Sequence, residues 1–331
     1  MNKKNGNMIV QNLNFLDNNL PDKCANLIIA DPPYFEVKGS FDFIWKSFDD
    51  YLLDVEKWAI ECKRILADNG TLLWWGHAKK IAYAQVILDK YFNLENSIVW
   101  EKYDSQVKKG IESYRCFAPI TERILMYSNE IGMSALKKIN HTMELWEPIV
   151  SKLNKNIKSK KQCIDLLRED GRYTSEESLK VQTGVKFGWG NRFEFLDEKM
   201  FDMCKKELKF DFSYQEIKHE YTTLKSKYLE TARPFDNFQK LNDVMRFSQE
   251  AHLTGKYKHD TCKPETLTRT LIRTCSRPND LVVVPFAGSG TECAMAIKEG
   301  RKAIGFDIEK KYVDMANKRC ESILMKPELF V

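Results

Sequence analysis

Short apolar runs alternate with stretches of helical periodicity through the first third of the chain. Residues from Met8 to Gln11 read as a short strand, and Leu27-Ile28-Ile29-Ala30 as a buried one. From Ser47 to Leu66, apolar Phe48, Tyr51, Leu52, Val55, Trp58, Ala59, Cys62 and Leu66 recur at helical spacing, with Asn69-Gly70 expected to stop that helix. A strand from Thr71 to Trp75, a helix from Lys79 to Tyr91 and strands at 96–100 and 124–127 continue the series. The alternation returns near the C-terminus, where 265–275 is an amphipathic helix and Leu281 to Val284 and Ala303 to Phe306 are strands around a further helix. Strands alternating with helices predict a parallel sheet covered on both faces. Between about Ser128 and Arg233 the pattern changes to helices alone, expected at 143–153, 160–169, 175–181, 197–206 and 214–231. The last is opened by the capping-box pair Ser213 and Glu216. Three segments follow: 1–127, a helical insert at 128–233, and 234–331.

Two of the predicted strands run into turns that carry chemistry. The strand at 27–30 ends in Asp31-Pro32-Pro33-Tyr34. In open α/β sheets ligands bind beyond the carboxyl ends of strands, and this turn suits a planar amine. The Asp31 carboxylate and the Pro32 carbonyl can each accept one N–H. Pro33 stiffens the turn and offers no competing donor, and Tyr34 offers a ring face for stacking. The alternative is a Pro-Pro turn with an incidental carboxylate. The second turn follows the strand at 281–284 and reads Pro285-Phe286-Ala287-Gly288-Ser289-Gly290-Thr291. Gly288 and Gly290 allow a ligand close to the backbone. Thr291 is placed to cap the next helix, whose N-terminus favours an anionic group. The following strand ends at Asp307, 17 residues after Gly290, where a carboxylate can take both hydroxyls of a ribose. Alone, that second pattern equally suits a plain strand–turn–helix or a dinucleotide site.

Taken together and in this order, the two turns resemble the beta group of DNA amino-methyltransferases, which use S-adenosylmethionine (SAM). A third element, His259-Asp260-Thr261-Cys262-Lys263-Pro264, resembles that family's His-Pro-Thr-Gln-Lys-Pro stretch just ahead of the cofactor loop. The sequence departs from the family at Asp260 and Cys262, at Gln11-Asn12 where a Gly-Asp pair is usual, and at Val284 where Asp is frequent. The resemblance spans roughly 8–127 and 235–322. It implies a circularly permuted, Rossmann-like α/β methyltransferase fold in which the catalytic half precedes the cofactor half, with target recognition in the insert. It implies SAM as cofactor, shaped by Phe286, Gly288, Ser289, Gly290 and Thr291, with Asp307 on the ribose, Thr261 and Lys263 closing the site, and Asn12 beside it. Asp31, Pro32, Pro33 and Tyr34 would be the catalytic turn. The implied reaction is methylation of the N6 amine of adenine in duplex DNA after base flipping. N4-cytosine methylation is the nearest rival, and a DNA-binding protein of the same fold with impaired catalysis is another. A nicotinamide dehydrogenase fits the glycine turn but leaves Asp-Pro-Pro-Tyr unexplained.

Composition bears on this only at the margins. The chain has 331 residues and a formal net charge of +5, a mild basic bias that permits nucleic-acid binding without requiring it. Nine cysteines without a Cys-x-x-Cys pair argue against a zinc cluster or disulfide framework and for reduced thiols in a cytosolic protein, and the resemblance implies a bacterial or phage-infected cell. No metal site is assigned, the N-terminal segment is polar, and no apolar run approaches membrane-spanning length. Double-stranded DNA is the implied partner; a homodimer and a cognate restriction endonuclease are both left open. Within the insert, Lys152, Lys155, Lys158, Lys160 and Lys161 form a basic run, and Lys158, Lys160 and Lys161 are the candidate phosphate contacts. A Gly- and aromatic-rich stretch from Gly184 to Phe193, with Trp189 and Arg192, is read as a loop that either enters a groove or packs on the insert. The short helices suit a helix-turn-helix-like unit. Trp74 and Trp75 are assigned to the core. The aromatic stretch from Phe35 to Phe43 either walls a base pocket or tucks onto the core.

Overall fold

The computed structural model describes residues 9–37, 44–103, 115–129, 143–189, 193–249 and 262–325. The chain forms two compact units, one of Met1–Ala135 with Arg233–Val331 and one of Leu136–Ala232.

In the first unit, eight strands form a single sheet among the described residues. They are β1 (Val10–Asn12), β2 (Ala25–Ala30), β3 (Leu66–Gly76), β4 (Asn93–Glu101), β5 (Thr121–Ser128), β6 (Val244–Arg246), β7 (Leu281–Val284) and β8 (Lys302–Asp307), in the order β1-β8-β7-β2-β3-β5-β4-β6. Period-2 alternation sends successive side chains to opposite faces. Leu27 and Ile29 of β2 and Leu73 and Trp75 of β3 join one core, while Ile28, Ala30, Leu72 and Trp74 join the other. The second core is covered by α1 (Phe48–Ile65) and α2 (Ile81–Leu88). The first is covered by three helices from the C-terminal part of the chain, which are numbered after those of the second unit.

Two expectations fail here. The sheet is mixed, because β5 runs antiparallel to both neighbours, pairing Gly76 with Arg123 and Trp100 with Glu122. Parallel neighbours need a crossover, usually helical; β5 instead doubles back on β4. The first long helix also ends earlier than Asn69-Gly70. It stops at Ile65, and Leu66, fully buried, already pairs with Ala25. Gly70 lies inside the strand, where a Cβ would come within 2.6 Å of Leu66 Cδ1 and 3.0 Å of the Ala25 carbonyl.

Among its described residues the second unit packs five helices around its own core: α3 (Met143–Asn154), α4 (Lys160–Asp170), α5 (Glu176–Lys186), α6 (Glu198–Leu208) and α7 (Tyr214–Thr231). Trp146, Ile149 and Leu153 of α3, spaced for one helix face, meet Leu166, Leu167, Phe187, Phe201 and Leu208 in that core. Ser213 and Glu216 form the capping box at the start of α7. Gly184 to Lys186, read from the sequence as loop, are the last turn of α5, anchored by buried Val185 and by the Thr183 hydroxyl donating to the Leu179 carbonyl. Returning to the first unit, α8 (Glu265–Cys275), α9 (Thr291–Lys298) and α10 (Lys310–Leu324) close its first core through Leu267, Leu271, Ile272, Ala294, Met295, Val313 and Ala316. Each fully buried Leu or Ile there contributes about 1.5–3 kcal/mol. β2 lies beside β7, parallel, with Leu27 against Val282 and Ile28 against Val283. Both turns singled out in the sequence therefore leave the same edge of the sheet from adjacent strands.

Candidate active site

Asp31 is the first residue beyond β2. Its carboxylate is engaged from two sides: Lys263 Nζ lies 2.8 Å from Oδ2, and the Tyr34 hydroxyl donates to Oδ1. Lys263 also donates to the Tyr34 hydroxyl at 3.2 Å and lies 5.4 Å from the Tyr34 ring centroid. The Tyr34 hydroxyl is thus tied to Asp31 and Lys263, while the half-buried side chain lines the cleft. Pro32 is buried and Pro33 half-buried. Phe35 and Glu36 then take φ of +42° and +53°, a left-handed pair that non-glycine residues rarely adopt. Lys80 holds this bend, donating to the Phe35 carbonyl at 2.8 Å with its ammonium 4.3 Å from the Phe35 ring centroid. The Phe35 ring is buried against Phe48 and Tyr51, so this aromatic is tucked onto the core; Phe41 and Phe43 lie outside the described residues.

Lys263 is almost fully buried and holds a second carboxylate, Glu122 Oε2, at 3.3 Å, while Lys102 pairs with Glu122 from the other side. Its ammonium also lies 4.9 Å from the Trp75 ring centroid. The outcome differs for the two carboxylates that share it. Burial lifts Asp31 above the ordinary carboxylate range even against the Lys263 charge. Burial also opposes ionisation of Glu122, but Lys263 and Lys102 together outweigh it and bring Glu122 down to about 2. Lys263, despite its own burial, is raised by Asp31 and Glu122 and stays protonated. The sequence reading placed Lys263 on the cofactor; in the structure its side chain contacts Asp31, Glu122 and Tyr34. Glu122 and Lys102 were missed. Glu122 reaches this edge because β5 is reversed, so that its first residues meet the carboxyl ends of β3 and β4, and Lys102 directly follows β4.

The glycine turn is built from backbone contacts. Gly288 and Gly290 take φ of +46° and +72°. At Gly290 a Cβ would fall 2.5 Å from Ala316 Cβ, so only glycine lets α9 pack on α10. Asp307, at the end of β8, accepts the Gly288 amide at 2.8 Å on Oδ2 and the Glu309 amide at 2.8 Å on Oδ1. Burial nevertheless raises Asp307 above the usual carboxylate range. Asn12, paired in register with Asp307, donates to the Asp307 and Ile308 carbonyls and so shapes this strand end. Thr291 is the first residue of α9 and does not cap it; Gly290 occupies the cap position without a side chain to contribute. The Thr291 hydroxyl instead accepts from Arg319 at 2.8 Å and meets the Ser289 hydroxyl at 3.1 Å. Arg319, buried and paired with Glu265 at 2.6 Å, holds the turn from behind. Cys262, where the resembled family has Gln, lies 2.8 Å from the Ser289 hydroxyl. Thr261 lies outside the described residues.

Both turns open on one cleft of about 780 Å³, lined by Asp31, Pro32, Pro33, Tyr34, Lys263, Glu122, Phe286, Gly288, Ser289, Glu292 and Asp307 among others. Phe286 stands edge-on to Trp58 with centroids 4.9 Å apart. The lining suits a nucleoside that carries positive charge: a carboxylate for a ribose diol, an aromatic wall for a base, and an interior rich in carboxylates. Among the described residues, no cluster of three His, Cys, Asp or Glu side chains is arranged to hold a metal ion. No described helix is long and apolar enough to cross a membrane.

In the second unit, Lys158, Lys160 and Lys161 are exposed. Lys160 Nζ lies 5.9 Å from the ring centroid of Trp189, which is 38% exposed, so these two candidates share one patch. Lys152 is committed elsewhere, paired with both oxygens of Glu220 at 2.6 and 2.5 Å. Arg192 lies outside the described residues. α4 and α5 are adjacent helices joined across Gly171 and capped by Ser159 and Ser175.

The DNA methylase family profile matches residues 25–318. The chain is 26% identical over 326 residues to the type II methyltransferase M.HinfI of Haemophilus influenzae, covering 93% of this chain and 66% of that protein. It is 25% identical over 309 residues to the DNA adenine methyltransferase YhdJ of Escherichia coli K12, covering 91% of this chain and 78% of that one. It is 26% identical over 315 residues to M1.MboII of Moraxella bovis, covering 92% and 91%. With a match of this extent joining the Asp-Pro-Pro-Tyr turn to the glycine turn, the chain belongs to the DNA methylase family, the SAM-dependent N6-adenine and N4-cytosine DNA methyltransferases.

Proposed function

We propose that this chain methylates the N6 amine of adenine in duplex DNA, at a specific site and after flipping the base. The observation that carries the reading is that Asp31 and Asp307 face one cleft from the ends of β2 and β8. SAM, when bound, supplies a methyl group on a sulfonium, so that a C–N bond forms as a C–S bond breaks and the amine then sheds a proton. Asp31 and the Pro32 carbonyl accept the two amine N–H groups and aim the nitrogen lone pair out of the ring plane. For that, Asp31 exchanges its bond from Tyr34 for one from the substrate, while Lys263 stays on the other oxygen and keeps the carboxylate ionised. Asp307 takes the ribose hydroxyls, and Phe286, Gly288, Ser289, Gly290 and Thr291 shape the cofactor loop. Catalysis is then chiefly positioning and electrostatics. A target amine buried in the base stack must leave the duplex to reach Asp31.

We assign target recognition to the helical unit, with Lys158, Lys160 and Lys161 on phosphates and Trp189 and Arg192 on discrimination among sites. Asp in the first position of the catalytic turn favours adenine, as does the adenine specificity named for the E. coli relative. Expression in a methylation-deficient bacterium, followed by mass spectrometry of its digested DNA, tests the reading. N6-methyladenine is the expected new base; N4-methylcytosine as the sole new base overturns the adenine assignment, and no new base overturns the activity. Single-molecule sequencing of the same DNA gives the recognition site, and thereby whether a restriction endonuclease partner needs to be sought.

A further inference from the structure

Glu292 is the second residue of α9, directly after the glycine turn, and it lines the cleft while only 6% exposed. Its carboxylate accepts a hydrogen bond from its own backbone amide and has no other hydrogen-bond or ion-pair partner among the described residues. A buried carboxylate left this way is costly. Its neighbours make it more so: Asp31 repels it from the end of β2, and Lys263 and Arg319 only partly offset this. Arg319 is itself committed to Glu265 of α8 and to Thr291, and Lys263 to Asp31 and Glu122. Asp307 at the end of β8 shares the cleft. The sum holds Glu292 at about 7. No part of the methyl-transfer geometry derived above uses it.

The position of the missing positive charge follows from Asp31. A methyl donor must bring its sulfur within one methyl group of the amine that Asp31 holds, so a sulfonium sits beside Asp31 and hence beside Glu292. Resting on the methyltransferase reading, we infer that Glu292 is a charge-selective cofactor residue: it recognises the sulfonium of SAM and, losing that partner when the methyl group leaves, favours release of the neutral thioether product, S-adenosylhomocysteine. The two ligands share adenosine and amino-acid groups and differ at the sulfur, so their affinity ratio isolates this contact. Glu292 binds a cation best when ionised, so the ratio rises as pH passes upward through neutrality.

Calorimetric titration of the full chain with SAM and with S-adenosylhomocysteine, at about pH 6 and about pH 8, tests this. The wild type is expected to prefer SAM, with the preference growing at least about threefold toward the higher pH as Glu292 ionises. E292Q is expected to lose roughly tenfold in SAM affinity at about pH 8 while S-adenosylhomocysteine stays within about twofold, since only the sulfonium loses a charged partner. Its residual preference should not respond to pH. E292Q weakening both ligands alike, or keeping the wild-type ratio, overturns the proposal. D307A supplies the contrast, weakening both ligands together through their shared ribose. Absence of binding by either ligand to the wild type overturns the cofactor reading itself, a different result from an unaltered ratio. Should E292Q not fold, E292D and the wild-type pH series decide: a wild-type ratio independent of pH is sufficient to reject the idea.

Discussion

Lys263 is the residue on which the chemistry of the cleft turns, since one buried ammonium serves Asp31 and Glu122 together. This separates the expected effects of substitutions around it. Asp31→Ala should abolish methyl transfer yet leave SAM affinity within about threefold, because Glu122 remains to hold Lys263 and no cofactor bond is removed; substantial residual methylation of duplex DNA would refute the assigned role. Asp307→Ala should weaken SAM by about 1–3 kcal/mol, the worth of a charged hydrogen-bond acceptor, measurable by calorimetry. Glu122 carries a pH signature. Its carboxyl titrates lower in the folded chain, at about 2, than at its ordinary 4.5, so its stabilising effect is complete above the unfolded value and is lost as pH falls toward the folded one. The stability difference between wild type and Glu122→Gln should be flat above pH 4.5 and shrink by about 3 kcal/mol toward pH 2. A difference that stays constant across that window would detach Glu122 from the ion cluster.

Among the elements, the glycine turn and α9 make the sharpest demand. Gly290→Ala places a methyl group 2.5 Å from Ala316 Cβ and asks alanine to hold φ near +72°. The backbone conformation alone costs about 1–2 kcal/mol, so thermal unfolding should register at least that loss, with SAM affinity falling alongside. The exposed start of α4 makes a testable electrostatic claim. Replacing Lys158, Lys160 and Lys161 by Ala should flatten the slope of log affinity against log salt by up to about 3, as expected for three lost phosphate contacts; an unchanged slope would leave them as a solvated face. Elements also show where sequence reasoning ran out. β2, β7 and all five helices of the insert were legible, because apolar spacing and caps such as Ser213 with Glu216 are local signals. β6 was not: Val244 to Arg246 is a three-residue edge strand with little buried surface and therefore no alternation to read. The direction of β5 was not legible either, since Ile124 to Tyr127 is equally apolar either way round. Missing that reversal meant missing Glu122 and Lys102, while Lys263, although singled out, lacked a visible partner. Asp31 and Asp307 were legible because each closes an apolar run at a strand end.

At the scale of the molecule, the first unit is assembled from two stretches of chain separated by the whole of the second, which has its own core. The order in which residues become available to each other is therefore uneven. Contacts within 136–232 are local, and this unit should fold as soon as it is complete. β2 is different. It is central, bonded to β3 on one side and to β7 on the other, and β7 is some 250 residues further along. Throughout synthesis of the intervening chain, Leu27 to Ala30 present an open, apolar strand edge of the kind that invites pairing with another chain. A chain ended just before Leu281 should accordingly sediment as aggregate while retaining helical circular dichroism, and recover solubility when residues 281–325 are supplied as a separate segment; a soluble monomer without that segment would show that the edge is masked another way. Permutation of strand order thus exposes the nascent strand at 25–30 to self-association until roughly the last sixth of the protein is made.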